Sequence, residues 1–222
     1  MLEWDNNSLK VAEFLLQIKA VKISPESPFT WASGLRSPIY CDNRKTLSFP
    51  EIRTFLRQRL THVVEENWGN ADVVAGVATG GIAPGVLVAQ EMGLPFIYVR
   101  SSAKGHGLGN KVEGVLTPGQ KVVVVEDLIS TGKSSLEAVA ALRAAGANVV
   151  GLVAMFTYGF DIAIENFKNA DCEFKTLSNY DALLQEALDK EYINKGHYES
   201  LKNWKNDPKA WSESFVKSNP ND

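Results

Sequence analysis

The sequence has little cysteine, no long apolar run and no excess of positive charge. Its 222 residues include two cysteines, Cys41 and Cys172, which are not spaced as a Cys-x-x-Cys pair. Two cysteines in a chain of this length are more often reduced thiols than a disulfide or a metal site. The net charge of −3 gives no general attraction to nucleic acid or to anionic lipid. Any site for an anion must therefore be local.

Segments that would direct the chain to a membrane are also missing. No run of about 18 apolar residues is present for a membrane helix. The first residues lack the basic stretch and the following apolar stretch of a signal peptide. We therefore expect a cytoplasmic protein with no membrane and no nucleic acid among its partners.

The middle of the sequence contains an alternation of short β-branched runs with helical patterns. Strands are predicted at residues 72–77, 96–99, 121–125 and 149–156, and helices at residues 81–92 and 134–145. Both helical patterns stop at a glycine, as helices commonly do. The alternation predicts an α/β fold with a doubly wound, mostly parallel sheet.

Three segments differ from this core, which we place at residues 51–178. Residues 1–50 combine an amphipathic helix at residues 8–21 with an extended stretch punctuated by proline. Residues 100–119, inside the core, are rich in glycine and small polar residues and predict a long mobile loop, either a lid or a disordered connector. Residues 179–222 predict a helical tail whose aromatic residues would pack on the core or on a second subunit.

The segment with the most chemical information follows the strand at residues 121–125. It consists of Glu126-Asp127-Leu128-Ile129-Ser130-Thr131-Gly132-Lys133-Ser134, and a helix is predicted to begin at its end. Unpaired amides at a helix N-terminus attract a phosphate, glycine lets the backbone come close, and the hydroxyl groups add donors, including that of Ser135. An ordinary capped helix is the alternative, but capping does not explain the acidic pair.

Two common nucleotide-binding motifs do not fit this chain. A Walker A loop requires glycine at the position of Asp127. The glycine-rich segments at residues 76–81 and 105–110 both lack the glycine spacing of a dinucleotide fingerprint. The acidic pair fits a ribose instead, because vicinal hydroxyl groups donate to carboxylates and negative charge favours an oxocarbenium-like anomeric carbon. The turn therefore predicts a ribose-phosphate site.

Three segments together resemble a known family. Residues 122–134 are similar to the phosphoribosyl-diphosphate signature of the type I phosphoribosyltransferases, in which four apolar and two acidic residues precede a hydroxyl-rich turn with glycine. Residues 29–44 resemble the pyrimidine-side segment of the orotate phosphoribosyltransferases, and residues 100–114 resemble their catalytic loop. The three segments occur in the order expected for that family.

The resemblance implies a type I phosphoribosyltransferase fold in which residues 1–50 form a hood over the base site. It implies transfer of the phosphoribosyl group from phosphoribosyl diphosphate to orotate, a step of pyrimidine biosynthesis, giving orotidine 5′-phosphate and diphosphate. Mg²⁺ is the implied cofactor, held mainly by substrate and water, and Asp127 is the candidate protein ligand. A homodimer is also implied, in which the loop closes over the active site of the neighbouring subunit.

The site residues implied by the resemblance fall into three groups. Catalysis is assigned to Lys104, His106 and Asp127. Orotate is assigned to Ser33, Ile39, Tyr40 and Ser130. Phosphoribosyl diphosphate is assigned to Thr79, Gly80, Arg100, Lys104, His106, Glu126, Asp127, Leu128, Ile129, Ser130, Thr131, Gly132, Lys133 and Ser134.

The chain departs from the better-known bacterial pattern at three positions where many relatives carry lysine, namely Ala32, Gly80 and Ser101. Diphosphate binding would then depend more on backbone amides and on the cations that remain, namely Arg100, Lys104 and Lys111.

Three other functions stay open at this point: a purine-type phosphoribosyltransferase, a non-catalytic regulator with the same fold, and a subunit that acts mainly as a partner. Residues 29–44 argue against the first. The net charge of −3 argues against the second, because such a regulator would normally carry a nucleic-acid-binding surface.

Overall fold

Helices and strands alternate along the chain, and in the computed structural model they fall into two units. The structure describes residues 6–31, 33–101 and 111–218. One unit comprises residues 47–177, and the other comprises the described residues up to 46 together with those from 178 onward. In chain order the elements are α1 (Asn6–Gln17), β1 (Val21–Ile23), β2 (Phe29–Thr30), β3 (Arg36–Ser37), β4 (Ile39–Cys41), a 3₁₀ helix (Asn43–Ser48), α2 (Pro50–Trp68), β5 (Val73–Val77), α3 (Ile82–Met92), β6 (Phe96–Val99), β7 (Val112–Glu113), β8 (Lys121–Ile129), α4 (Lys133–Ala144), β9 (Asn148–Thr157), α5 (Asp161–Asn169), β10 (Phe174–Asn179), α6 (Tyr180–Asp189), α7 (Lys195–Asn206) and α8 (Pro208–Ser218).

A six-stranded sheet in the order β10-β9-β8-β5-β6-β7 forms the centre of the first unit. β5 runs parallel to β6 and to β8, and β8 runs parallel to β9. β7, at one edge of the sheet, is antiparallel to β6. The predicted α/β fold with a mostly parallel sheet is therefore confirmed.

The central strand β8 is buried on both faces. Val122 and Val124 belong to an apolar cluster with Leu142 of α4. Val123 and Val125, which alternate with them, are also fully buried. Side chains along a strand alternate between its two faces, so helices must cover the sheet on both sides, as expected for parallel strands.

Two predicted boundaries in this unit differ from the structure. The strand predicted at residues 121–125 extends as β8 to Ile129, so the acidic pair lies within the strand. Pairing with β9 explains the extension, because Ile129 lies opposite Thr157, and such pairing overrides the low strand propensity of acidic residues. The loop predicted at residues 100–119 contains β7, and its residues 102–110 lie outside the described part of the chain.

The second unit contains four α-helices, the start of the 3₁₀ helix and two short antiparallel strand pairs, β1 with β4 and β2 with β3. The helix predicted at residues 8–21 ends at Gln17, because Lys19 has a left-handed φ of 53° and Val21 already pairs with Cys41. The sequence predicts boundaries at residues 50 and 178, and the structure groups the two terminal segments in one unit.

In the ranges that the structure describes, no helix combines the length and the apolar character needed to cross a membrane.

Candidate active site

A cavity of roughly 580 Å³ is formed by the turn that follows β5, the end of β8 and the start of α4. Its lining residues are Ala78, Thr79, Gly80, Glu126, Asp127, Leu128, Ser130, Thr131, Gly132, Lys133, Ser134 and Glu137. Loops that follow parallel strands meet at one edge of the sheet, and open α/β proteins bind ligands at this edge. The cavity therefore lies where the fold class places a binding site.

Both turns that line the cavity lead into helices that begin at a glycine. Gly81 is the N-cap of α3 and Gly132 is the N-cap of α4, and no described side chain caps either helix by a hydrogen bond. The first N–H groups of a helix have no partner within the helix and carry partial positive charge. The N-terminus of α4 thus presents amide donors that suit an anion.

The turn before α4 has a conformation that only glycine adopts without strain. Gly132 has a φ of 78°, and a Cβ atom at this position would lie 2.7 Å from Cε2 of Phe167. The neighbouring Asn166 donates from its side-chain amide to the carbonyl oxygen of Thr131 at 3.0 Å. Helix α5 therefore fixes the turn through packing and through a hydrogen bond.

Glu126 is an almost fully buried carboxyl group, with 4% of its surface exposed. Its Oε1 accepts a hydrogen bond from the backbone N–H of Asp127 at 3.0 Å. Its Oε2 accepts one from the hydroxyl of Ser135 at 3.1 Å. Burial, and next the negative charge of Asp127, raise the pKa of Glu126 well above its ordinary value. Ser135 is therefore not directed at the cavity, as the sequence suggested, but holds this carboxyl group.

Asp127 lies directly against the turn that follows β5. A Cβ atom added to Gly80 would overlap the carboxyl group of Asp127. The peptide bond between Ala78 and Thr79, in the same turn, is cis. At position 80, where the family resemblance led us to expect lysine, a side chain would displace Asp127. Glycine at position 80 thus leaves the space that the carboxyl group of Asp127 occupies.

The cavity brings together most of the predicted phosphoribosyl-diphosphate contacts, which are Thr79, Gly80, Glu126, Asp127, Leu128, Ser130, Thr131, Gly132, Lys133 and Ser134. Ile129 is a correction, because its side chain is fully buried in the apolar cluster under the sheet. Leu128 lines the cavity and Ile129 follows it on a strand, so the two side chains point to opposite faces. The carbonyl oxygen of Ile129 accepts hydrogen bonds from Thr157 Oγ1 and Tyr158 N.

Arg100 does not line the cavity. Its guanidinium Nη1 lies 3.3 Å from Oε1 of Glu113, and its backbone N–H donates to the carbonyl oxygen of Lys111 at 2.8 Å. These contacts join β6 to β7 at the base of the predicted loop. Lys104 and His106 lie outside the described residues.

The residues assigned to orotate, apart from Ser130, belong to the other unit. Ser33 is exposed, the side chain of Ile39 is fully buried and Tyr40 is 41% exposed. Ile39 thus contributes its side chain to the interior of its own unit. The role assigned to these three residues stays a prediction, and Ala32 lies outside the described residues.

One acidic lining residue, Glu137, was not predicted. It follows Lys133 by four residues on α4, so both side chains lie on the same side of the helix. This helical spacing, counted from the predicted turn, is the sequence signal that could have predicted Glu137 as a lining residue. In the described ranges, His, Cys, Asp and Glu side chains form no group of three or more that could hold a metal ion. Glu126 and Asp127 are the acidic pair available at the end of β8.

Comparisons with known proteins agree with this architecture. The family model for the phosphoribosyl transferase domain matches residues 47–175. The orotate phosphoribosyltransferase of Phocaeicola vulgatus is 57% identical over 200 residues, which are 90% of this chain and 94% of the relative. That of Listeria innocua is 54% identical over 202 residues, which are 91% of this chain and 97% of the relative.

Solved structures give the same result. The crystal structure of orotate phosphoribosyltransferase from Aeropyrum pernix matches with a TM-score of 0.73 and 28% identity, over 83% of this chain and 99% of that chain. The structure of Leishmania donovani UMP synthase matches with a TM-score of 0.75 and 26% identity, over 89% of this chain and 42% of that chain.

Proposed function

The chain belongs to the orotate phosphoribosyltransferase family, and from this premise we propose that it transfers the phosphoribosyl group of phosphoribosyl diphosphate to orotate. The products are orotidine 5′-phosphate and diphosphate, as in pyrimidine biosynthesis. The observation that carries the proposal is the cavity in which two adjacent carboxyl groups stand beside the uncapped N-terminus of α4. One ligand that needs both features is a ribose phosphate.

The 5-phosphate would bind to the first amides of α4 and to the hydroxyl groups of Ser130, Thr131 and Ser134. All three side chains line the cavity, and hydroxyl groups add donors where the helix already supplies partial positive charge. The ammonium group of Lys133 in the same turn adds a full charge. The 5-phosphate does not react. It would therefore stay bound while the anomeric carbon loses the diphosphate and forms its bond to the base.

Asp127 would accept hydrogen bonds from the ribose hydroxyl groups. Its negative charge would stabilise the positive charge that develops on the anomeric carbon as the diphosphate departs. That developing charge would also favour the ionised form of the neighbouring Glu126, whose pKa is raised in the protein alone. The acidic pair thus binds the sugar and lowers the barrier to cleavage.

Mg²⁺ fits beside Asp127 at the end of β8. This ion takes one or two carboxylates together with substrate oxygens and water. Asp127 lines the cavity, whereas both carboxyl oxygens of Glu126 already accept hydrogen bonds. When bound, Mg²⁺ neutralises charge on the diphosphate leaving group. We expect a chelator to stop turnover and added Mg²⁺ to restore it.

Other parts of the proposal come from the resemblance to the family. Lys104 and His106 would act on the leaving diphosphate, together with Arg100 and Lys111. The contacts with orotate would come from Ser33, Ile39, Tyr40 and Ser130. The enzyme would work in the cytoplasm as a homodimer whose loops close over the neighbouring active sites.

A turnover assay tests the reaction. The purified protein is mixed with phosphoribosyl diphosphate, Mg²⁺ and one of three bases, orotate, uracil or a purine, and consumption of the base is followed. We expect orotate alone to be consumed. Consumption of a purine but not of orotate would identify a purine-type enzyme, and consumption of none would favour a non-catalytic regulator.

A pair of variants then tests the role of the acidic pair. Asp127→Asn should lower kcat by about 100-fold, because one preorganised charge at the reacting centre is removed. Asp161→Asn changes an exposed residue at the start of α5 in the same unit, and kcat should stay unchanged. Equal kcat in the two variants would remove Asp127 from the reaction.

A further inference from the structure

The hairpin formed by β2 and β3 is too short to hold its own position. Each strand has two residues, paired as Phe29 with Ser37 and Thr30 with Arg36. At the tip, the N–H of Trp31 donates to the carbonyl oxygen of Leu35 at 2.9 Å. Isolated two-stranded hairpins are marginally stable in water. The orientation of this hairpin must therefore depend on contacts with other elements.

One such contact comes from α8. The backbone N–H of Arg36 in β3 donates to the hydroxyl oxygen of Ser212 at 2.9 Å. Ser212 is 5% exposed and Arg36 is half-buried, so the hydrogen bond is partly shielded from water. A backbone amide withdrawn from water needs an acceptor, and here a side chain 176 residues away in the sequence supplies it.

A second contact comes from α7. The indole ring of Trp31 meets that of Trp204 edge to face, with ring centroids 5.7 Å apart. Trp204 is fully buried and also packs against Tyr180 at 5.2 Å. Trp31 Nε1 donates to the carbonyl oxygen of Ile39 at 3.3 Å. The Trp31 ring thus connects the hairpin both to α7 and to β4.

A third contact is weaker and lies just before the hairpin. His197 Nε2 in α7 lies 3.0 Å from Oε1 of Glu26, whose side chain is 82% exposed. Exposed ion pairs contribute little to stability. The buried contacts of Ser212 and Trp204 therefore account for most of the connection between the C-terminal helices and the hairpin.

From these contacts we infer that α7 and α8 position the β2–β3 hairpin for base binding, with Ser212 as a positioning residue that acts through the backbone of Arg36. The inference rests on the proposed function, because Ser33 and Tyr40, in and just after this hairpin, are assigned to orotate. It gives the C-terminal tail a role in the affinity for the base. The phosphate-binding turn belongs to the other unit, and we expect the affinity for phosphoribosyl diphosphate not to depend on Ser212.

The test compares two serine substitutions on the same helix. Ser212→Ala removes the acceptor for Arg36, whereas Ser214→Ala changes an exposed serine two residues later. At saturating phosphoribosyl diphosphate, Ser212→Ala should raise the KM for orotate by about three- to tenfold, the effect of one lost hydrogen bond. Its KM for phosphoribosyl diphosphate and its kcat should match those of Ser214→Ala.

A second measurement does not depend on activity. Amide hydrogen exchange in peptides covering residues 29–41 should be faster in Ser212→Ala than in Ser214→Ala, because the hairpin has lost a support. Exchange in peptides covering residues 121–136 should be the same in both variants.

The outcomes separate this inference from the proposed function. Unchanged exchange at residues 29–41 overturns the positioning role, whatever the activity. Faster exchange with an unchanged KM for orotate overturns the link to base binding. If the unaltered protein consumes no orotate, the proposed function fails and the link to base binding fails with it, whereas faster exchange would still establish the support of the hairpin by Ser212.

Discussion

At the scale of single residues, Glu126 shows how one carboxyl group differs from its neighbour on the same strand. It is buried and holds two hydrogen bonds, from Asp127 N and Ser135 Oγ. Desolvation disfavours its charged form, and the adjacent negative charge of Asp127 acts in the same direction. The next carboxyl group along the strand faces the cavity. Two adjacent carboxyl groups of the cavity thus differ in their surroundings: Glu126 is buried and hydrogen-bonded, whereas Asp127 is half-buried.

The raised pKa of Glu126 predicts a pH dependence of stability. Above its ordinary pKa of 4.5, the unfolded chain releases the proton that the folded protein still holds. The free energy of unfolding therefore falls as pH rises from 4.5 towards the raised folded value, by about 1.4 kcal/mol for each unit of raised pKa. Glu126→Gln should remove this decline. The measurement is the free energy of unfolding by urea at several pH values above 4.5. Glu137→Gln, an exposed carboxyl group of the same cavity, should keep it, and an identical decline in both variants would contradict the assignment.

Two neighbouring serines should have separate effects. Ser135→Ala leaves a buried oxygen of Glu126 without its donor, so the free energy of unfolding should fall by about 1–3 kcal/mol. Ser134 is exposed and lines the cavity, so Ser134→Ala should raise the KM for phosphoribosyl diphosphate and change stability by less than about 0.5 kcal/mol. Urea unfolding and steady-state kinetics of the two variants test this expectation. Equal losses of stability and equal KM values in both would contradict the role of Ser135 as the donor to Glu126.

At the scale of elements, the site depends on where β8 ends and α4 begins. β8 continues through the acidic pair because β9 pairs with it as far as Thr157. The helix can start only after a left-handed residue at Gly132, which has a φ of 78° and lies against Phe167. The amides of α4 therefore face the cavity because of β9 and α5, which supply no lining residue themselves.

Two glycine substitutions test the start of α4. Gly119 has a φ of 88° with open space around its Cβ position, whereas a Cβ at Gly132 would meet Phe167. Both Gly119→Ala and Gly132→Ala should lose about 1–2 kcal/mol from the left-handed conformation. Gly132→Ala should lose more than Gly119→Ala and should also raise the KM for phosphoribosyl diphosphate. Equal losses and equal KM values would show that Phe167 does not fix the turn.

At the scale of the whole molecule, the two terminal segments of the chain form one unit and the central segment forms the other. The family model matches residues 47–175, close to the limits of the central unit. Relatives more than 50% identical match over about nine tenths of the chain, so the similarity extends beyond the central unit. The terminal unit is therefore a regular part of these relatives and not an isolated addition.

The proposed homodimer with shared active sites predicts complementation between inactive variants. Lys104→Ala and Asp127→Asn should each be nearly inactive alone. If the loop of one subunit serves the other, co-expression should give hybrid dimers with one intact site, and about a quarter of the activity should return for random pairing. Activity of the co-expressed mixture, with mass from sedimentation, checks this, and purified hybrid dimers should have about half of the unaltered activity. No recovery in a verified hybrid dimer would place the loop over its own subunit.

The sequence by itself determined the features that depend on neighbours along the chain. Strands at residues 96–99 and 149–156, the helices after Gly80 and Gly132, and the turn at residues 126–134 follow from periodicity, glycine positions and the spacing of acidic and hydroxyl groups. These patterns are local, so no knowledge of the sheet order is needed to recognise them.

Only the tertiary structure decided which of these residues meet. Asp127 lies against Gly80 because β5 and β8 are adjacent in the sheet, and Ile129 turns to the core because β9 extends β8. Arg36 reaches Ser212 because the terminal segments share one unit. Contacts between residues distant in sequence follow from strand order and packing, which leave no periodic signal in the sequence.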